Sequence, residues 1–460
     1  MNRIICILSA ALVSLAALAL PARATPLLDA ALASIPEGGW VRVSGANTWP
    51  SQWPSPRPAG DPASVVLAWS SFAWDSSRSQ LMLWGGGHAN YAGNEMYIWN
   101  GDTGLWSRGS LPSAYQSGTS WIVGNGAPQS SHTYDNSLYL PLSDRFVTFG
   151  GAAWNSGSNF DSAAGREGPW LWDPAKADPN KVGGQTGTGI NPATQGADSW
   201  TSRRGSITGT LPPTFVEAAT GYRAEGGKDV VYIAGDTGAS GFPSLYRYEF
   251  NPGGNDVVQR VGVMSSSTFA YEGTATVDTQ RGWFVRTAWG GGVSNDLAVW
   301  DLDLNNPSSP GANTSFAVRL RRADGSDYNI VNPSTGSGHS TGIGFDEASG
   351  LYYLWNGSTV VRLTPGVNLD GTPTSEWLAE PIPYTTAAAP TSLGQGILGK
   401  WQYVPELDAF AALSTVEANG DTGVWLYKPA AAVPEPGTWA MFAAGLGIVG
   451  VLARRRRIGG

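Results

Sequence analysis

The stretch Phe72-Ala73-Trp74-Asp75-Ser76-Ser77-Arg78, followed by Leu81-Met82-Leu83-Trp84-Gly85-Gly86-Gly87, sets the reading of the whole chain. Two short apolar runs flank a polar turn that contains an aspartate, and the second run ends in glycines. Runs of this length, rich in aromatic residues and bounded by Asp, Ser and Gly, read as strands joined by tight turns. The pattern recurs. Leu142-Ser143-Asp144-Arg145 precedes 146–149 and Gly150-Gly151, and Gly226-Gly227-Lys228-Asp229 precedes 230–235. Val277-Asp278-Thr279-Gln280-Arg281 precedes 283–289 and Gly290-Gly291-Gly292. Phe345-Asp346-Glu347-Ala348-Ser349 precedes 351–355, and Pro405-Glu406-Leu407-Asp408 precedes 409–414.

A third, often aromatic, run follows each copy, at 96–99, 170–172, 245–250, 297–300, 359–363 and 424–427. A fourth run carries Trp106, Trp200 or Trp377 in several copies. Repeated four-stranded units predict an all-β fold, a β-propeller of six four-stranded blades or of seven. A pair of long β-sandwiches is the rival arrangement. The sixth copy has no fourth run of its own. Gly39-Trp40-Val41-Arg42-Val43 could supply it and so join the two ends of the body. The copies are unevenly spaced, with the largest insertion between Trp172 and Trp200.

Composition agrees with this reading. Glycine (61), proline (31) and tryptophan (21) are abundant, while charged residues make up 14% of the chain. Long amphipathic helices are missing. The one cysteine, Cys6, lies near the N-terminus, so the body from 25 to 430 has neither a disulfide nor a thiolate. Without the six terminal arginines and Glu435, 22 basic residues face 35 acidic ones. That balance argues against nucleic acid or an anionic membrane surface as partner. It leaves room for a local basic pocket.

The two ends carry an address. Arg3, an apolar stretch at 4–20 and Pro21-Ala22-Arg23-Ala24 have the order of a secretory signal, with cleavage expected after Ala24. At the other end, Pro434-Glu435-Pro436 leads into an apolar run at 437–453 and then Arg454, Arg455, Arg456 and Arg457. Gly445, Gly447 and Gly450 in that run suit a membrane helix, and the arginines belong on the cytoplasmic side. The expected organisation is a signal peptide at 1–24, a β body at 25–430 and a sorting segment at 433–460.

The tail resembles the PEP-CTERM sorting signal of Gram-negative bacteria. The resemblance implies a signal peptidase and an exosortase as processing partners. It also implies transient anchoring through the C-terminal helix and a link to extracellular polysaccharide. A plain C-terminal anchor would give the same topology. Gly86-Gly87, Tyr97 and Trp106 are similar to the kelch motif and to the kelch-like propeller of galactose oxidase. Copper-radical chemistry of that type needs a cysteine crosslinked to tyrosine, which the body lacks.

Chemistry is expected where the loops before the first strands meet those after the second strands. The three histidines, His88, His132 and His339, all fall in such loops or at such strand starts. Asn90, Tyr91, Asn94, Trp154, Asn155, Trp289, Asn295, Asn356, Lys400 and Gln402 belong to the same end. The leading expectation is a surface protein that binds polysaccharide or another surface partner. The alternative is a lyase acting on uronic-acid polymer. There His88, Tyr91 and His132 would serve in proton transfer, and Lys400 or Arg223 would neutralise the carboxylate. Propeller lyases with a histidine after a glycine run are similar at Gly87-His88. No cofactor is expected, although neutral imidazoles with Gln402 could hold a divalent metal.

Overall fold

The structure is a computed structural model of the 460-residue chain. It describes residues 25–113, 122–123, 126–154, 169–185, 195–235, 244–265, 273–287, 296–330, 341–391 and 396–430. The signal (1–24) and the sorting segment (433–460) lie outside these residues. No described helix is long and apolar enough to cross a membrane.

The body is all-β, and its strands form antiparallel four-stranded units in chain order. The first unit is Phe72–Asp75, Gln80–Leu83, Tyr97–Asn100 and Leu105–Arg108. The second is Ser137–Leu140, Arg145–Thr148, Trp170–Trp172 and Trp200–Ser202. The third is Ala219–Glu225, Lys228–Ala234, Ser244–Glu249 and Asp256–Val263, with Ile207–Gly209 added in parallel at its outer edge. The fourth is Ala275–Asp278, Trp283–Thr287, Asp296–Asp301 and Phe316–Arg321. The fifth is Gly342–Asp346, Leu351–Trp355, Val360–Thr364 and Glu376–Ile382. The sixth takes Trp401–Val404, Ala409–Val416 and Thr422–Tyr427, and borrows Trp40–Arg42 from the other end of the chain. The fourth and fifth units merge through parallel pairing of Arg319–Arg321 with Glu376–Leu378, which makes one eight-stranded sheet. Its end strands also meet, since Phe345 N donates to Thr276 Oγ1 at 3.2 Å, so the sheet is nearly closed on itself.

The recurring aspartate has a concrete job. Asp75 accepts from the amides of Ser77 (2.9 Å) and Arg78 (3.1 Å). Asp278 does the same for Gln280 (2.9 Å) and Arg281 (2.8 Å), and Asp346 for Ala348 (2.9 Å) and Ser349 (3.2 Å). Each carboxylate thus closes the turn between the first two strands of its unit. The third unit differs. Gly226 and Gly227 make its turn with φ of 56° and 78°, values that favour glycine. Its Asp229 instead accepts from the amides of Leu142 (3.1 Å) and Ser143 (2.8 Å) in the second unit.

First strands of successive units touch in cyclic order. Ser71 N donates to Thr133 Oγ1 at 2.9 Å, linking units one and two. Thr220 N and Ala275 N both donate to Asp135 Oδ2, at 3.1 and 2.9 Å, linking two, three and four. Thr274 Oγ1 donates to Thr341 O at 2.7 Å between four and five. Glycine at 342 lets five approach six, because a Cβ there would lie 2.4 Å from Trp401 Cβ. Gln402 Nε2 donates to Phe72 O at 2.6 Å and returns the order to unit one.

The seam between the chain ends is the most aromatic part of the core. Trp40 pairs with Tyr427 across the sheet and packs at 5.2 Å from Trp355 and 5.6 Å from Trp401. Arg42 bonds Glu417 at 2.6 Å and Asp421 at 3.0 Å. Trp40 is 1% exposed, so truncation leaves a cavity as well as a bare strand. Trp40→Ala is expected to lower the unfolding free energy by about 3–5 kcal/mol in a denaturant titration. A loss under about 1 kcal/mol, within the range of an ordinary surface change, would mean the seam does not hold the body together.

Candidate functional site

The turns capped by aspartate gather at one end of the units, and the loops leading into the first strands gather at the other. At that second end the backbone bends unusually. Trp69 (φ 39°), Tyr134 (47°), Glu217 (62°) and Leu398 (51°) each sit just before the first strand of a unit in the left-handed region. A non-glycine residue there costs on the order of 1 kcal/mol, and such positions concentrate at functional sites. The bends brace one another, since Tyr134 N donates to Trp69 O at 2.7 Å and Gly399 N to Tyr134 O at 3.3 Å.

The glycine run of the first unit brings its loop onto the second unit. Gly86 N donates to Ser131 O at 3.0 Å, and a Cβ on Gly87 would lie 2.3 Å from Ser131 Cα. The chain then turns through His88 (φ 48°) and Ala89 (φ 65°). This swings the exposed His88 ring to 5.2 Å from His132, edge to face. His132 was expected to begin a first strand. It lies instead in the loop before Ser137–Leu140, where His132 N donates to Ala152 O at 2.8 Å. Its ring stacks on Trp69 at 4.9 Å and meets the edge of Tyr134 at 6.0 Å.

Asn90 completes the group. Its amide is best oriented with the nitrogen donating to Gly87 O (3.2 Å), His88 O (3.1 Å) and His132 Nε2 (2.9 Å). That orientation leaves the His132 proton on Nδ1, which is buried. Burial, and then the nearby charges of His88 and Lys400, push His132 down to about 3. His132 is therefore a neutral imidazole near pH 7.

Beneath the pair lie charged groups in low-dielectric surroundings. Lys400 is fully buried and donates to Ser70 O at 2.9 Å and Ser70 Oγ at 3.3 Å. Burial pushes its ammonium down to about 7. Asp135 lines a cavity of about 180 Å³ bounded by Leu138, Ala275, Phe345 and Gln402. Burial pushes its carboxyl up to about 8, although two backbone amides donate to it. Arg286 donates through Nη2 to Glu217 O at 3.0 Å and is pushed down to about 10 by burial. Trp69, Asp135 and Arg286 escaped the sequence reading, and Glu217 stood out there only as an isolated carboxylate. Of the first three, Arg286 alone left a signal, as one cation inside the apolar strand Trp283–Thr287.

The other expected residues are placed apart. Tyr91 is buried, and its hydroxyl donates to Glu95 Oε1 at 2.6 Å, away from the histidines. Tyr97 donates to the same oxygen at 2.5 Å. Burial and the neighbouring Glu95 carboxylate raise Tyr91 far above its usual range. Asn94 ties Pro128 O (2.8 Å) to Ser113 N (2.7 Å), Trp154 is buried, and Gln402 serves the link to Phe72. Asn356 closes a turn by accepting from Ser358 and Thr359, and Arg223 pairs with Glu225 at 2.9 Å. Asn155, Trp289, Asn295 and His339 lie outside the described residues. Among the described residues no three His, Cys, Asp or Glu groups converge on a metal position.

Residues 432–457 match the PEP-CTERM protein-sorting motif. The motif implies an exported protein with a membrane-anchored C-terminal sorting signal that an exosortase processes. No curated protein matches the chain. Among solved structures, an auxiliary nutrient binding protein of Bacteroides thetaiotaomicron is 10% identical, with 81% of this chain and 70% of that one covered and a TM-score of 0.37. An endo-arabinase of the same organism is 12% identical, with 72% and 98% covered and a TM-score of 0.31. Likeness at this level carries no argument about function.

The His132 environment has a pH signature. The unfolded chain binds a proton at this site below its ordinary value of about 6.5, while the folded chain resists it down to about 3. The stability contributed by neutral His132 is complete above pH 6.5 and is lost as pH falls toward 3. His132→Phe is expected to flatten the fall of the melting temperature across that window. Equal acid slopes for the two proteins would show that His132 is not held neutral.

Proposed function

We propose that the described units are the six blades of a kelch-like β-propeller spanning 25–430, and that this exported body binds extracellular or cell-surface polysaccharide at the histidine mouth. The cyclic order of first-strand contacts and the completion of the sixth unit by Trp40–Arg42 support the ring. One observation carries the binding reading. His88 and Asn90 are exposed beside a stack of half-buried Trp69 on buried His132, so hydrogen-bonding groups sit against a rigid aromatic base. Sugars offer hydroxyls and flat C–H faces that match such a surface. The acidic body makes nucleic acid a poor partner, and the sorting tail delivers the protein to the outside of the inner membrane.

The lyase reading keeps a foothold in the same place. The exposed His88 imidazole is positioned to take the proton next to a uronic carboxylate, while His132, held neutral down to about 3, is too weak a base for that step and serves to position His88. The C–H bond would break, a C=C bond would form, and the glycosidic oxygen would leave with a proton. Tyr91 has no part in this, because Glu95 holds its hydroxyl in the core.

Affinity electrophoresis in gels containing alginate, polygalacturonate or a neutral glucan tests both readings. The protein is expected to be retarded by at least one polymer. His88→Ala should weaken that retardation roughly tenfold, since a lost hydrogen-bonding anchor costs about 1–1.5 kcal/mol. Equal migration in every gel would overturn the binding reading. Growth of the ultraviolet absorbance of unsaturated ends, present with the natural protein and absent with His88→Ala, would move the assignment to the lyase.

A further inference from the structure

The described body stops at Ala430, and the sorting motif begins at 432. The position of that exit is fixed by contacts. Tyr353 Oη donates to Ala430 O at 2.8 Å, Lys428 N donates to Gly39 O at 3.0 Å, and Lys428 Nζ donates to Leu32 O at 3.3 Å. Ala430 lines a cavity of about 410 Å³ together with Glu37, Asp346, Ala348 and Asp408. Asp346, Ala348 and Asp408 belong to the turns between first and second strands in units five and six. The histidine mouth lies at the opposite ends of the first strands. The chain therefore leaves on the face turned away from His88 and His132.

Six residues separate Ala430 from the start of the apolar run at 437, and the seven backbone steps they make span at most about 25 Å when fully extended. A body of roughly 400 residues is about 50 Å across. A tether this short cannot pass around the body. We infer that, while the tail is anchored, the face bearing Ala430 and the Asp346 and Asp408 turns is held against the membrane and the histidine mouth points outward. The tether alone enforces this. The exposed carboxylates of Glu37 and Asp408 on that face repel an anionic lipid surface, so the face itself does not adhere. This inference rests on strand direction and the sorting motif, not on the ligand of the mouth.

The body has no cysteine, so one can be introduced at a chosen face. Ala348→Cys marks the exit face and Ala89→Cys the mouth, both at exposed positions. Each full-length protein is exported in a host that lacks an exosortase, so the tail stays uncut. A donor dye is attached on spheroplasts, and a lipid-borne acceptor is added to the membrane. First strands rise about 3.3 Å per residue, so with their loops the two positions differ in height enough for energy transfer at position 348 to exceed that at 89 by about twofold or more. Equal transfer at the two positions, greater transfer at 89, or none from either would overturn the inference. None of these outcomes depends on whether polysaccharide binds.

Discussion

The pairing of Trp40–Arg42 with Thr422–Tyr427 is the constraint on which the rest depends. Each four-stranded unit buries its two faces against its neighbours, so one incomplete unit would leave two neighbours uncovered. The chain solves this by spending a segment close to its N-terminus on its last unit. The strand pairing is local, but its effect is global. It fixes which first strands are adjacent, and so it fixes where the loops of units one, two and six meet. His88, His132 and Lys400 come from those three units. The candidate site lies where those three units meet.

A second tie acts from inside. Asp135 comes from unit two, yet its Oδ2 accepts amides from units three and four. A buried carboxyl is costly unless it is well bonded. Here the cost secures three units at one point beside the mouth. Asp135 and Arg286 are each held away from their usual protonation range by burial, and each feels the other's charge. The floor of the mouth is thus polar and stiff rather than apolar.

Much of the architecture was legible because it follows from short-range chemistry. The aspartate turns, the glycines after Trp84, the outer tryptophans and the borrowed strand near Trp40 all announced themselves by pattern. Asp229 misled, because the same residue type can close its own turn or reach the neighbouring unit, as Asp144 also does toward Arg78. At the mouth, sequence grouped His88, Asn90 and His132, which are in contact in the structure, and drew Tyr91 with them by proximity in the chain. Proximity failed there because Tyr91 turns inward to Glu95, four residues further along the chain. Trp69 and Asp135 left no trace in sequence, since their roles come from backbone bends and cross-unit bonds that no local pattern records.

The outer rims have a consequence for crowding. The third unit is capped by Ile207–Gly209, and the fourth and fifth hide their rims in each other. The rims left uncovered belong to strands of only three or four residues. Such short rims are poor templates for recruiting a strand from another molecule. An exported protein whose body has no disulfide to lock it thereby gains resistance to sticking to its own copies through edge-to-edge addition.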